Sequence, residues 1–200
     1  VNNDNDPLDG NGHGTHVAGI IAAKGPGIYG IAPDATLVAV QVCDNSGTCS
    51  ASNIASGIDY CIQNSSVYNI TAISISIGGG LSSNYCDSES MFTDLINSAV
   101  LKNITVVVSS GNDGSTSGIA EPACIENATA VASTYDFTGT YSGSCTDSAV
   151  PDKVSCFSNR NSLVDILAPG SIINSTNYNG LYTEKSGTSA LSLQRNLGLG

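Results

Sequence analysis

Basic residues are scarce in this 200-residue chain: six Lys and Arg stand against 17 Asp and Glu, for a net charge of −11 and a pI near 4.1. No Lys/Arg cluster breaks that balance, so nucleic acid and anionic membrane surfaces are not expected as partners. The acidity is that of a solvated surface. No apolar run approaches the roughly 18 residues that a membrane-spanning helix needs. No basic leader followed by an apolar stretch begins the sequence, so it shows no signal peptide. There is no Cys-x-x-Cys pair and no His beside a Cys, which excludes a zinc site of the usual spacing. Internal repeats, linkers and low-complexity tracts are missing as well. What is present suits one densely built, loop-rich globular domain: 40% hydrophobic residues, 22 glycines and only 12% charged residues.

The chain is organised around Gly10-Asn11-Gly12-His13-Gly14-Thr15-His16-Val17-Ala18-Gly19-Ile20-Ile21-Ala22-Ala23. Glycines permit close approaches and backbone angles that other residues forbid. Val17, Ile20 and Ile21, with Ala18 and Ala22, fall at i, i+3 and i+4 spacing, which predicts a buried helix. His13 then stands at a loop-to-helix junction, well placed for proton transfer near neutral pH. A lone histidine in a Gly-rich loop is more often structural, but two further stretches change that reading. Val106 to Gly114 is a strand that breaks into a glycine turn carrying Asn112. Ser186-Gly187-Thr188-Ser189-Ala190 sets a serine behind a glycine, with small residues around it.

In this order the three stretches resemble the subtilases, the subtilisin-like serine peptidases. Gly30 to Pro33, Ser74 to Gly79, Ala130 to Ser133 and Asp165 to Gly170 are intermediate landmarks, and the resemblance runs from about Val1 to Ala190. It implies an α/β fold, a mainly parallel sheet with helices on both faces in a three-layer sandwich. It also implies His13 as general base, Ser189 as nucleophile, and Asn112 as side-chain donor to the oxyanion beside the Ser189 N–H; His16 would be structural. Those residue types fit the chemistry. A serine hydroxyl attacks a carbonyl only when an imidazole takes its proton, and the same imidazole then protonates the leaving amine.

Two departures shape the expectation. The family's catalytic aspartate lies in an Asp-Ser/Thr-Gly setting before the histidine helix, and Val1 to Gly12 holds no such setting. The third triad member is therefore expected outside this chain. After Ala190 the sequence leaves the family pattern. Residues 1–190 are thus expected to form a subtilase-like catalytic domain incomplete at both ends, with an atypical tail over 191–200. The resemblance further implies two backbone edges for an extended peptide, Ser76-Ile77-Gly78 and Ser109-Ser110-Gly111. Asp4, Asp6 and Asp9 resemble a calcium loop, against the alternative of a plain solvated loop. Calcium there would be structural, and the chemistry requires no cofactor.

Seven cysteines suit an oxidising compartment. Cys43 and Cys49 bracket a short turn, and Cys145 and Cys156 bracket an expected hairpin. By the resemblance, Cys86 and Cys124 join the loops beside the cleft, which leaves Cys61 over. Five Asn-x-Ser/Thr sequons are about what the composition yields by chance, and carry no information. Hydrophobic patterning predicts strands over 36–42, 72–77 and 104–110, and helices over 50–64 and 88–102. Strands separated by helices make a parallel sheet, with function at the carboxyl ends of its strands. The expected function is a secreted, monomeric serine endopeptidase acting on polypeptides through a Ser-His-Asp triad, of which this chain is a partial domain, expected to be essentially inactive on its own. The alternative is an inactive subtilase-like domain that binds peptides or proteins. An esterase of the Gly-x-Ser-x-Gly class is disfavoured, because the nucleophile context here is Gly-Thr-Ser-Ala.

Overall fold

The computed structural model describes residues 8–191. Helix α1 (His13–Ala22) opens the described chain and is followed by a short hairpin of β1 (Lys24–Gly25) and β2 (Ile28–Tyr29). Then come α2 (Ala51–Gln63), α3 (Ser65–Tyr68), β3 (Ala72–Ile75), β4 (Gly79–Ser82), α4 (Thr93–Leu101) and β5 (Thr105–Ser109). The remainder holds mostly strands: β6 (Ile119–Glu121), β7 (Thr129–Thr134), β8 (Gly139–Ser142), β9 (Thr146–Ala149), β10 (Ile166–Pro169), β11 (Ile173–Thr176) and β12 (Tyr182–Lys185). A 3₁₀ turn over Thr188–Leu191 ends it.

The centre is a parallel four-stranded sheet in the order β10-β7-β5-β3. Strand β5 explains the layering. Its consecutive valines point to opposite faces, and each is at most 2% exposed. Val106 and Val108 join Ile73, Ile75 and Ala130 against Ile58 and Ile62 of α2 and Ile96 and Ala99 of α4. Val107 joins Val131 and Ala168 on the other face, against Ile20 of α1 and Ala190 of the 3₁₀ turn. Each buried valine contributes about 1.5–3 kcal/mol. Such a continuous β-branched run, apolar on both faces, is what a central parallel strand requires. The expected three-layer arrangement is present.

Three elements differ from the sequence expectation. Thr36 to Val42 forms no strand. Its side chains still alternate, with Val38, Val40 and Val42 half-buried and Ala39 and Gln41 exposed, and Val40 packs against the α2 side of the core. Yet β3 is the last strand of the sheet on its side, and among the described residues nothing offers 36–42 a hydrogen-bonded ladder. A period of two alone does not make a strand. Helix α4 begins at Thr93, not Ser88, because the N–H groups of Glu89 and Ser90 both turn back to the Cys86 carbonyl. Cys86 is itself fixed by its disulfide to Cys124. Finally, the hairpin near Cys145 is β8–β9, so the Cys145–Cys156 disulfide ties its turn to a later loop instead of bracketing it. Cys43–Cys49 is also bonded, and Cys61 is free and buried.

Candidate active site

His13 is the first residue of α1, and Asp9 shapes that start. The Asp9 Oδ1 accepts the N–H groups of Asn11 and Gly12, both at 2.8 Å. Its Oδ2 accepts the Thr15 N–H at 2.8 Å and the Thr15 hydroxyl at 2.7 Å. A helix start leaves such donors without partners, and a carboxylate satisfies them and complements the helix dipole. Burial works against the charged carboxyl, but the hydrogen bonds from Gly12, Thr15 and Asn11 win and hold its pKa at about 2. With both oxygens committed in this way, Asp9 does not fit the role of a calcium ligand. Asp4 and Asp6 lie outside the described residues.

Helix α1 lies backbone-close on β11. A Cβ at Gly19 would stand 2.1 Å from Thr176 Oγ1 and 2.4 Å from Ser175 Oγ, so only glycine fits. The Ser175 hydroxyl donates to the His16 carbonyl at 2.7 Å, and the Thr176 hydroxyl to the Thr15 carbonyl at 2.8 Å. His16 is 2% exposed, and its Nε2 lies 3.0 Å from the Ile173 carbonyl and 3.1 Å from the Thr183 carbonyl. A nitrogen facing two carbonyls carries the proton and serves as their donor.

His13 is different. It is half-buried, and among the described residues its ring makes no hydrogen bond. Burial is the main force lowering its pKa below the usual 6.5; the Lys185 ammonium and His16 add to this, and Asp9 opposes them. The imidazole is therefore neutral at neutral pH. His16 is lowered by burial and by Lys185, against its two carbonyl contacts.

The other two motifs meet at the carboxyl ends of β3 and β5. Asn112 follows β5 and is exposed; its Oδ1 accepts the Thr188 N–H at 2.8 Å and the Thr188 hydroxyl at 3.0 Å. The Thr188 hydroxyl oxygen in turn accepts the Gly111 N–H at 3.2 Å. With Oδ1 engaged, the Asn112 Nδ2 is left to donate outward, and it stands 3.4 Å from where a Cβ on Gly187 would sit. Ser189 donates its hydroxyl to the Ser76 carbonyl at 3.1 Å, while the Ser76 hydroxyl donates to the Ser189 carbonyl at 2.9 Å. Ser189 is thus tied to the end of β3, and no hydrogen bond joins it to His13. Both nevertheless stand on one face of the sheet, since Ile20 of α1 and Ala190 share a cluster with Val107 and Val131.

The two expected peptide edges differ. Ile77 is half-buried and Gly78 exposed, just past β3. Ser109 and Ser110 are 3% and 0% exposed. The Ser110 N–H goes to the Val131 carbonyl, and its own carbonyl takes the Ala120 N–H. Ser109-Ser110 is therefore buried just before Gly111 and Asn112, with the Ser110 N–H and carbonyl both paired. Sequence reasoning did not single out Thr188, Lys185 or Asn159. Only Thr188 carried a signal, its place within the Gly-Thr-Ser stretch.

The chain is similar to known proteins over most of its length. The profile of the subtilase family matches residues 1–191. Thermitase of Thermoactinomyces vulgaris is 40% identical over 192 residues, covering 94% of this chain and 60% of thermitase. The minor extracellular protease Epr of Bacillus subtilis is 35% identical over 183 residues, or 90% of this chain and 25% of Epr. Among solved structures, sphericase superposes with a TM-score of 0.79 at 32% identity, over 96% of this chain and 63% of that one. This chain thus spans less than two thirds of the length of these relatives. It belongs to the subtilase family.

Proposed function

We propose that this chain supplies the nucleophile, the base and the oxyanion donor of a serine endopeptidase. One observation carries the reading: Thr188 grips the Asn112 carbonyl oxygen, so the Asn112 amide nitrogen is presented beside the Gly187-Thr188-Ser189 turn. A peptide carbonyl attacked by Ser189 Oγ would place its developing negative charge between that amide and the Ser189 N–H. Before attack, the Ser189 hydroxyl leaves the Ser76 carbonyl and turns to His13, which takes its proton. The protonated imidazole then hands that proton to the leaving amine, and water repeats the sequence to release the acyl group. The neutral His13 ring suits the first step.

Orientation of His13 needs a carboxylate. Asp9 is committed to the helix start, so we assign that role to an aspartate outside the described residues. Ile77 and Gly78 offer an edge to an extended polypeptide, which is recognised through its backbone more than its side chains. Three disulfides and a relative named as extracellular support secretion.

The absence of a His13–Ser189 hydrogen bond favours a second reading, a peptide-binding domain without turnover. One experiment separates the two. The whole protein, including the segment that carries the aspartate, is treated with a phosphonyl fluoride, mapped by mass spectrometry, and assayed on casein. An adduct on Ser189 with loss of casein hydrolysis supports the peptidase. An adduct elsewhere in an active preparation refutes the assignment, and no adduct with no hydrolysis leaves the binder.

A further inference from the structure

Asn159 lies in the loop between β9 and β10, is 0% exposed, and spends its hydrogen bonds on the segment that carries Asn112. Its N–H donates to the Gly111 carbonyl at 3.0 Å, and its carbonyl accepts the Ser110 hydroxyl at 2.9 Å. Its side-chain Oδ1 accepts the N–H groups of Asp113 and Ser115, both at 3.0 Å. Its Nδ2 donates to Asp113 Oδ2 at 2.9 Å. These contacts bracket Asn112 on both sides. The approach is close enough to exclude a side chain at Gly111, where φ is +103° and a Cβ would stand 2.3 Å from the Asn159 Nδ2.

Asn112 is thereby held twice. Thr188 fixes the rotation of its amide, and Asn159 fixes the backbone from which that amide projects. The first grip alone is insufficient, because a side chain with two rotatable bonds follows its Cα. If Gly111 and Asp113 shift, Nδ2 leaves the place where the oxyanion forms, or Thr188 is pulled away with it. Misplacement by about 1 Å can cost about 10²-fold in turnover.

We infer that Asn159 is a positioning residue for the oxyanion donor, acting through Asn112 and touching no substrate. This rests on the serine peptidase reading above. It predicts a defect in the transition state with ground-state binding retained.

The test uses the whole protein, with competent sites counted by phosphonyl titration of Ser189. Wild type, Asn159→Ala, Asn112→Ala and the double variant are compared on a peptide substrate. The expected result is a fall of about 10–100-fold in kcat for Asn159→Ala with KM within about twofold. In the Asn112→Ala background, Asn159→Ala should add almost nothing, because the donor it positions is already gone. An equal loss in both backgrounds, a wild-type kcat per titrated site, or a change confined to KM overturns the inference.

Should Asn159→Ala fail to fold, Asn159→Asp replaces it. That change keeps the side-chain shape and sets a second carboxylate against Asp113. It should lose kcat, and Asp113→Asn added to it should restore kcat by reversing donor and acceptor. Failure of that restoration likewise overturns the inference. A wild-type protein without hydrolysis overturns the serine peptidase reading itself, and this inference with it.

Discussion

Asn112 and Thr188, 76 residues apart in sequence, share two hydrogen bonds: the Asn112 Oδ1 accepts both the N–H and the hydroxyl of Thr188. The N–H contact survives any substitution at Thr188 except proline. The hydroxyl contact, and the Gly111 N–H that rests on the same oxygen, do not. Thr188→Val keeps the shape and removes both. Each bond has a net worth of about 1 kcal/mol, so kcat is expected to fall about 5–30-fold with KM little changed. Steady-state kinetics on a peptide substrate check this, and a rise in KM alone would contradict it.

The two histidines of α1 should separate cleanly. His13→Ala should abolish acylation of Ser189 while leaving thermal stability close to wild type, since among the described residues the His13 ring has no hydrogen bond to lose. His16→Ala leaves the Ile173 and Thr183 carbonyls without their shared donor in a buried site. The cost is about 2–4 kcal/mol, or a fall in Tm of about 5–15 °C. Acylation rate and melting temperature, measured on both variants, would refute the assignment if the two effects were exchanged.

Asp9 makes stability depend on acid. Its folded pKa of about 2 lies below the ordinary 3.8, so the unfolded chain takes up the proton first as pH falls. Its contribution is complete above the ordinary value and is lost as pH drops through about 2. Asp9→Ala should cost about 1 kcal/mol at neutral pH, the worth of a helix-capping side chain. The difference from wild type should close between pH of about 4 and about 2. Thermal unfolding across that range is the check; a gap independent of pH would mean that the charge contributes nothing.

Lys185, at the end of β12, lowers the pKa of His13, after the larger effect of burial. The base acts only when neutral, so turnover is lost as pH falls through that pKa. Lys185→Gln should raise it and move the acid limb of kcat/KM to higher pH, by more at low salt than at high salt. An unmoved limb would place the ammonium too far from the imidazole to matter.

Much of this was legible in the chain itself. Helix α1 follows from the spacing of Val17, Ile20 and Ile21, and β5 from its run of valines, because apolar periodicity is local. The ordered motifs around His13, Asn112 and Ser189 pointed to the family for the same reason, since each is a short stretch with its own glycine chemistry. Pairing is what local pattern cannot carry. Residues 36–42 alternate as a strand does, but a strand exists only beside another, and among the described residues none lies beside them. Ser189 bonds to Ser76 across 113 residues, and Asn159 to Asp113 across 46. Nothing near Asn159 in sequence marks it, because its role comes from the loop that folds over it. The sequence by itself pointed to the family and to the side chains proposed for its chemistry; tertiary contact decided that the Ser110 N–H and carbonyl are paired with Val131 and Ala120, that Asp9 caps a helix, and that Asn112 is held from two sides. Hydrogen bonds between distant segments depend on the packing of the apolar faces of α1, α2 and α4 against the sheet, which brings those segments together.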